Sequence, residues 1–195
     1  DALPILSMHN QEHPAENELY LNGGGDYLRL FKIVGIDQSP FPITGQSSLR
    51  SVLPYFNLGQ TIFLIHNTCI SENDIIWAKQ YAAENGLQLV FCLCVNANLY
   101  IENKVPPIDL LLKHNCQIVL GTDSYSSNWQ LSIAKEIDVI QKHFPHLELA
   151  TILHWATLSG ARALQWENTL GSFEKGKKPG LTLVDLENGN STRIA

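Results

Sequence analysis

The stretch from Cys116 to Asn128 constrains the fold of this chain more than any other part of its sequence. It contains a short apolar run, Ile118 to Leu120, which predicts a buried strand. The run ends at Gly121 and is followed by one carboxylate, Asp123, among small polar residues. A buried parallel strand with a carboxylate just beyond its C-terminal end is typical of the functional face of a (β/α) barrel. Taken alone, Asp123 is equally compatible with an ordinary helix cap after a strand.

The composition favours a folded globular protein and argues against several kinds of function. The chain has 195 residues, of which 45% are hydrophobic and 16% are charged, a balance typical of a protein with a buried core. Its net charge of −6 argues against a protein that binds the phosphate backbone of nucleic acids. No apolar run approaches the roughly 18 residues that a membrane-spanning helix needs. We therefore expect that neither a nucleic acid nor a membrane is a partner of this chain.

The cysteines and the first residues indicate the setting and extent of the chain. The four cysteines lack the spacing of a zinc finger, so reduced, buried thiols in a cytoplasmic protein are the expected state. They are Cys69, Cys92, Cys94 and Cys116. The chain begins without Met, directly in the apolar run Leu3 to Leu6. We therefore expect it to be the C-terminal part of a longer protein.

Strand-like and helix-like segments alternate along the chain, which predicts α/β architecture. The predicted strands are Ala2–Met8, Thr61–Ile65, Leu87–Cys94 and Gln117–Leu120. Helices are predicted near residues 27–33, 49–56, 71–85, 107–113, 129–143, 147–156 and 159–166. In the glycine-rich tail, Leu181 to Val184 predicts one further strand. Four parallel strands with intervening helices would be half of an eight-stranded barrel.

Polar side chains cluster where the predicted strands end. Those that follow the four strands in turn are His9 with Glu12, His66, Asn98 and Asp123. Because parallel barrel strands all open on one face at their C-terminal ends, these groups can converge despite their separation in sequence. Two imidazoles with carboxylates nearby suit a divalent metal. Taken singly, each residue also has an ordinary explanation: a solvent-facing His9, a hydrogen-bonded structural His66, or a surface Glu12.

Six motifs, taken in order and with their spacing, resemble one known family. They are Ser7–Glu12, Leu64–Asn67, Asn96–Leu99, Leu120–Asp123 with Ser127–Asn128, Trp155–Leu164 and Leu170–Gly180. Together they resemble the C-terminal half of the amidohydrolase superfamily, over nearly the whole chain. The resemblance is strongest to the branch that holds S-adenosylhomocysteine and adenosine-type deaminases, guanine deaminase, aminodeoxyfutalosine deaminase and the triazine chlorohydrolases.

The resemblance implies a fold and a division of the chain. Residues 1–168 would form the C-terminal half of a (β/α)8 TIM-like barrel, with its strands 5 to 8. Residues 169–195 would be a short β tail that belongs to a small β-sandwich.

The resemblance also implies a chemistry. His9 would be a metal ligand, and Asp123 would be a ligand that also accepts a proton from the attacking water. His66 would orient that water, and Glu12 would protonate a ring nitrogen of the substrate. The implied partner is a small-molecule substrate, which Asn98 and Ser127 would contact. The implied cofactor is a divalent metal, with zinc favoured and iron also suitable, and the implied reaction is hydrolytic deamination of a purine-like or nucleoside-like heterocycle.

Departures from the family pattern keep two alternatives open. Leu93-Cys94-Val95 stands where the family usually has His-Asn-Pro or His-Cys-Pro, and Ser124 replaces the usual glycine. A chlorohydrolase that removes halogen is therefore one alternative. The other is a non-catalytic half-barrel that acts as an assembly module. Because a half-barrel leaves unpaired strand edges, we expect a homo-oligomer, and we expect this chain alone to be inactive.

Overall fold

The computed structural model describes residues 4–36, 41–185 and 188–194. The chain divides into two compact units, each assembled from segments that are distant in sequence. Unit 1 comprises Asp1–Leu89 and Pro106–Cys116, and unit 2 comprises Val90–Val105 and Gln117–Ala195. The boundary falls inside the strand Gln88–Leu93, which therefore contributes residues to both units.

Helices and strands alternate through most of the chain. In chain order they are β1 (Ile5–Asn10), α1 (Pro14–Asn22), α2 (Asp26–Ile33), α3 (Ser48–Val52), β2 (Thr61–His66), α4 (Glu72–Asn85), β3 (Gln88–Leu93), α5 (Val95–Glu102), α6 (Ile108–Lys113), β4 (Ile118–Leu120), α7 (Ile133–His143), α8 (Leu149–His154), α9 (Gly160–Ala163), β5 (Thr182–Asp185) and β6 (Asn190–Arg193). A 3₁₀ turn at Leu53–Tyr55 follows α3, and a π-helical turn at Trp155–Ser159 joins α8 to α9.

Unit 1 is built on the parallel pair β1 and β2, which is in register from Ile5 opposite Thr61 to Asn10 opposite His66. Ile62 and Leu64 of β2 are fully buried, whereas most side chains of β1 are exposed or half-buried. Helix α4 begins after Ser71, whose hydroxyl accepts the Asp74 backbone N–H, and it ends at Gly86. The predicted start and end of this helix are therefore confirmed.

Unit 2 is built on β3 and β4, which pair in parallel from Phe91 opposite Ile118 to Leu93 opposite Leu120. Gly121 follows β4 at a point of close approach. A Cβ atom there would lie 2.9 Å from Cys92 Sγ and 3.1 Å from Cys94 Sγ, so the packing favours glycine at this position. The two-stranded antiparallel sheet of β5 and β6 belongs to the same unit.

The prediction of four parallel strands is confirmed. They follow one another in the order β1-β2-β3-β4, which fits part of a (β/α) barrel. Of the first predicted strand, Ala2 and Leu3 lie outside the described residues, and the strand continues to Asn10. The tail has a second strand, β6, that the polar sequence Asn190–Arg193 did not indicate.

Two helices were missed by sequence reasoning, and several others differ in their bounds. Helix α1 has His13 as its N-cap and Pro14 as its first residue. Most of its residues are polar and few are buried, so the sequence shows no apolar helical face there. Helix α5 follows β3 after one residue, and its first four residues are all buried, so no helical periodicity appears. The helix predicted from residue 129 begins only after its cap, Ser132. No helix within residues 4–36, 41–185 and 188–194 has the length and hydrophobicity that a membrane crossing requires.

Candidate functional site

The ends of β1 and β2 bring three of the predicted functional side chains of unit 1 together. The imidazole rings of His9 and His66 stack with centroids 5.2 Å apart and planes inclined by 16°. Glu12 Oε1 lies 3.4 Å from His66 Nε2. His66 is fully buried, Glu12 is half-buried and His9 is exposed, so the group runs from the interior of unit 1 toward its surface.

A pair of buried asparagines fixes the backbone beside these imidazoles. Asn10 Nδ2 donates to Asn67 Oδ1 at 2.9 Å, and the Asn67 backbone N–H donates to the Asn10 carbonyl at 3.0 Å. His66 and Asn67 have φ of 77° and 60°, in the left-handed region that most side chains avoid. Because such a conformation must be held by its surroundings, the asparagine pair helps to set the direction of His66.

The loop that carries Glu12 is anchored through its backbone by Glu16 of α1. The two oxygens of the Glu16 carboxylate accept the backbone N–H groups of Gln11, at 2.7 Å, and Glu12, at 2.8 Å. The Gln11 carbonyl accepts the Cys69 backbone N–H at 2.7 Å. These bonds connect the loop after β1 both to α1 and to the segment after β2.

A buried carboxylate, Asp74, accepts a hydrogen bond from the side chain of Gln11. Gln11 Nε2 donates to Asp74 Oδ2 at 3.0 Å, and Arg50 Nε and the Ser47 hydroxyl donate to Asp74 Oδ1 at 2.7 and 2.9 Å. Burial is the largest single influence on Asp74 and raises its pKa. The surrounding hydrogen-bond donors together outweigh burial, so the pKa lies below its usual value and the group stays ionised.

In unit 2, Asp123 lies three residues past the end of β4, where the sequence predicted it. Its φ is 57°, again in the left-handed region. The Ser127 hydroxyl donates to Asp123 Oδ2, and Asn128 Nδ2 donates to the Thr122 carbonyl at 2.7 Å. Ser127, predicted as a substrate contact, is therefore a hydrogen-bond partner of Asp123.

Behind this loop, a second buried carboxylate connects the segments that follow β3 and β4. Glu136 of α7 accepts hydrogen bonds from the backbone and side chain of Asn96 and from the side chain of Asn128. Burial raises the pKa of Glu136, and these hydrogen bonds offset the effect only partly. Asn98, predicted as a substrate contact, is fully buried in the first turn of α5.

The thiols beside Gly121 belong to the interior of unit 2. Cys94 is buried, and its pKa is raised, first by the hydrogen bond with Cys92 and next by burial. A thiol with a raised pKa is a poor nucleophile and a poor metal ligand. Cys94 Sγ is thus a packing partner of Gly121 rather than a candidate for chemistry.

Each unit offers ligand types that suit a divalent metal. In unit 1 these are the imidazole nitrogens of His9 and His66, and in unit 2 they are the carboxylate oxygens of Asp123. Zinc and iron both accept such ligands. Glu12 adds a carboxylate next to an imidazole, an arrangement suited to proton transfer.

Sequence reasoning missed Asp74 and Glu136, although each leaves a signal. On α7, Glu136 lies three residues after Ile133 and four before Ile140, which places a charge on the apolar face of the helix. On α4, Asp74 lies four residues before the buried Ala78. A carboxylate on an apolar face indicates a buried polar partner, but the pattern does not identify that partner.

Comparison with known proteins places the chain in a family. The profile of the amidohydrolase family matches residues 31–194. The chain belongs to the amidohydrolase family. Among curated members, it is 30% identical over 151 residues to the 5-methylthioadenosine/S-adenosylhomocysteine deaminase of Saccharophagus degradans, which covers 74% of this chain and 32% of that protein. It is 29% identical over 140 residues to the 5'-deoxyadenosine deaminase of Methanobrevibacter smithii, over 68% of this chain and 31% of that protein.

Solved structures of the family share the fold. The Helicobacter pylori aminofutalosine deaminase superposes with a TM-score of 0.72 at 23% identity, over 90% of this chain and 43% of its own. A Xanthomonas campestris adenosine deaminase with bound zinc gives 0.60 at 26% identity, over 92% and 37%. The atrazine chlorohydrolase of Arthrobacter aurescens TC1, complexed with zinc, gives 0.63 at 18% identity, over 88% and 34%. The chain thus spans about a third of the length of the curated amidohydrolases it matches.

Proposed function

We propose that this chain carries part of the active site of a metal-dependent aminohydrolase, which deaminates an amino-substituted heterocycle of the purine or nucleoside type. The observation that carries the proposal is the grouping of His9, Glu12 and His66 at the ends of two parallel strands. Membership of a hydrolase family whose similar members are named deaminases supports the reaction class.

In the proposed site, His9 and Asp123 bind a divalent metal, with zinc favoured over iron. The His66 ring is stacked on that of His9. Such a metal supplies a water molecule with a lowered pKa, which is a nucleophile at neutral pH. Asp123 accepts a proton from the attacking water, and His66 orients that water. The zinc named in two of the similar structures agrees with this choice of metal.

Glu12 is the proposed general acid. Attack on the amino-bearing carbon of an aromatic ring places negative charge on the adjacent ring nitrogen, so a proton donor must stand there. The Glu12 carboxyl donates this proton and takes a proton back as ammonia leaves, while Asp123 passes the proton of the attacking water to the departing amino group. Its backbone anchorage to Glu16 keeps the carboxyl next to His66 while its own side chain stays half-buried. Asn98 and Ser127 are proposed to contact the substrate.

The proposed domain division follows from the same family membership. β1 to β4 would be strands 5 to 8 of the barrel, within residues 1–168. Residues 169–195 would belong to a small β-sandwich, and the separate antiparallel pair of β5 and β6 supports that assignment.

Metal content tests the proposed site first. The chain, purified without chelator, is expected to contain close to one zinc or iron per molecule by elemental analysis. His9→Ala should reduce that content, while Glu12→Gln should leave it unchanged because Glu12 is not a proposed ligand. Equal metal content in wild type and His9→Ala would contradict the ligand assignment.

Turnover tests the reaction class. Ammonia release is measured with 5'-deoxyadenosine and 5-methylthioadenosine, because each of these compounds is named for a similar protein. In a full-length version of the protein, Glu12→Gln is expected to lower turnover by a factor of roughly 10²–10⁴, the usual contribution of a general acid. Unchanged turnover would remove Glu12 from the mechanism. Chloride release from atrazine without ammonia release would replace deamination by dehalogenation.

Self-association is a separate proposal about the same chain. β1 is the first strand of the described sheet and is exposed along much of its length, with Leu6 at 36% exposure. An exposed strand with unpaired backbone groups tends to pair with another strand. Sedimentation equilibrium should show a homo-oligomer, and a monomer at high concentration would contradict the proposal.

A further inference from the structure

The buried carboxylate of Glu136 takes no part in the proposed chemistry, yet its position is costly. The side chain is fully buried on the first turn of α7. Within the described part of the chain it forms no ion pair with Lys, Arg or His. A carboxylate taken out of water without a cation loses much of its hydration energy, so its hydrogen bonds must compensate.

Those hydrogen bonds come from two asparagines and from the backbone of Val95. The Asn96 backbone N–H donates to Oε2 at 3.1 Å, and Asn96 Nδ2 donates to Oε1 at 2.9 Å. Asn128 Nδ2 donates to Oε1 at 3.3 Å. Asn96 lies in the first turn of α5, directly after β3, whereas Asn128 lies in the loop after β4. One carboxylate therefore holds the segments that follow two neighbouring strands of unit 2.

A second hydrogen bond of Asn128 extends this connection to Asp123. Asn128 Nδ2 also donates to the Thr122 carbonyl at 2.7 Å, and Thr122 directly precedes Asp123. Asp123 has a φ of 57°, a backbone conformation that persists only where neighbouring contacts hold it. The side chain of Asn128 joins Glu136 to the backbone at the point where that conformation begins.

We propose that Glu136 is a positioning residue, which fixes the backbone of Asp123 through Asn128 and Thr122 and fixes the start of α5 through Asn96. The proposal deepens the proposed function and rests on it, since Asp123 is the carboxylate assigned there as ligand and proton acceptor. Hydrogen-bonded groups behind a metal ligand typically change metal affinity by 10–100-fold when they are removed.

The test compares three variants of the full chain with the wild type. Glu136→Gln keeps the shape of the side chain but sets an amide NH₂ against the Asn96 N–H or the asparagine NH₂ groups. Asn128→Ala keeps Glu136 and Asn96 paired and removes the hydrogen bonds of the Asn128 side chain to Glu136, to the Thr122 carbonyl and from the Gln130 backbone N–H. Ile140→Val is the control, because Ile140 is fully buried on the same helix and its loss of one methyl group lowers stability without touching either loop.

Hydrogen exchange followed by mass spectrometry reads the loops directly. Relative to Ile140→Val, Glu136→Gln should speed exchange at least tenfold, by order of magnitude, in peptides covering residues 94–98 and 122–128. Asn128→Ala should do so in residues 122–128 alone. Exchange in both segments that matches the control would overturn the proposal. If Glu136→Gln does not fold, Asn128→Ala decides the connection to Asp123 by the same comparison.

Zinc affinity provides the second reading, by competition with a chromogenic chelator. Glu136→Gln and Asn128→Ala should each raise the dissociation constant for zinc about 10–100-fold, while Ile140→Val should leave it unchanged. An affinity equal to that of the control would overturn the positioning of Asp123. If the wild type itself binds no zinc, the proposed function fails, whereas the exchange comparison still tests how Glu136 holds the loops.

Discussion

Each unit of this protein contains one buried carboxylate that holds the loop after a strand, and the two are balanced in opposite ways. Asp74 of unit 1 receives a guanidinium and several neutral donors, and its pKa lies below the usual value. Glu136 of unit 2 receives only amide donors, and its pKa lies above the usual value. At Asp74 the hydrogen bonds, from the Gln11 amide first and the Arg50 guanidinium next, together outweigh the effect of burial on the pKa, whereas at Glu136 burial outweighs the hydrogen bonds.

This difference has a structural consequence within each unit. In unit 1 the ion pair of Asp74 is reinforced, since Arg50 also donates to the Asn73 carbonyl at 2.9 Å and lies over the Trp77 ring. Gln11, the residue before Glu12, is therefore hydrogen-bonded to a charged cluster that consists of Asp74 and Arg50. In unit 2 the hydrogen bonds that hold the loop of Asp123 come from Asn128, which joins it to Glu136, and from the hydroxyl of Ser127.

Removal of Asp74 is expected to have the largest effect on stability. Asp74→Ala leaves Arg50 and the amide of Gln11 without their buried acceptor and removes a first-turn acid from α4. Loss of one partner of a buried ion pair typically costs about 3–5 kcal/mol, and the partial exposure of Arg50 favours the lower end. The free energy of unfolding in urea at neutral pH measures the loss.

Asp138→Ala is the matched control, because Asp138 pairs with Lys142 one turn along the surface of α7. Exposed pairs of this kind contribute roughly 0.5 kcal/mol or less. If Asp74→Ala lowers the free energy of unfolding no more than Asp138→Ala does, the charged cluster of Asp74 and Arg50 does not stabilise unit 1.

The pH dependence of stability should have opposite signs at the two carboxylates. The pKa of Asp74 is lowered, so its contribution is present above the usual value of 3.8 and is lost as the pH falls. The pKa of Glu136 is raised, so its contribution is complete below 4.5 and is lost as the pH rises through its folded-state pKa. Each group changes the free energy of unfolding by at most about 1.4 kcal/mol per pH unit.

Asp74→Asn and Glu136→Gln remove these titrations one at a time. The stability difference between wild type and Asp74→Asn should therefore grow from acid toward neutral pH. The difference between wild type and Glu136→Gln should shrink over the range above pH 4.5. Urea unfolding across that range measures both differences, and two slopes of the same sign would refute the contrast between the units.

The sequence was sufficient for the strands and the chemical groups at their ends, but not for the groups behind them. β2 and β4 are short apolar runs, and His66 and Asp123 follow from where those runs stop. Glu136 and Asp74 looked like ordinary acids in the first turn of a helix, which the helix dipole alone would favour. Apart from Ser71, which lies three residues before Asp74, the side-chain partners of these two acids lie 8 to 63 residues away in sequence. Such pairings depend on tertiary packing that no local pattern encodes.

Helix α5 shows the same limit for secondary structure. Its first turn is buried on every side, from Val95 to Asn98, so the sequence lacks the alternation of apolar and polar faces that reveals a surface helix. The asparagines there suggested a loop, since Asn favours turns by intrinsic propensity. In the folded chain, Glu136 satisfies Asn96 and so makes a helical start possible at that position.

The smallest expected effect isolates the charge of Asp74 from its surroundings. Ser47 and Ser132 are both half-buried helix caps, for α3 in unit 1 and α7 in unit 2, and each hydroxyl accepts a backbone N–H. The Ser47 hydroxyl donates to the Asp74 carboxylate at 2.9 Å, whereas the Ser132 hydroxyl donates to the neutral Gly189 carbonyl at 3.4 Å. Loss of either cap should cost about 1 kcal/mol.

Ser47→Ala should lower the free energy of unfolding in urea at neutral pH by roughly 0.5–1 kcal/mol more than Ser132→Ala does, because hydrogen bonds to a charged group are the stronger ones. Because that excess depends on an ionised Asp74, it should disappear in the Asp74→Asn background, and an excess that persists there would show that the two caps differ for a reason other than the charge.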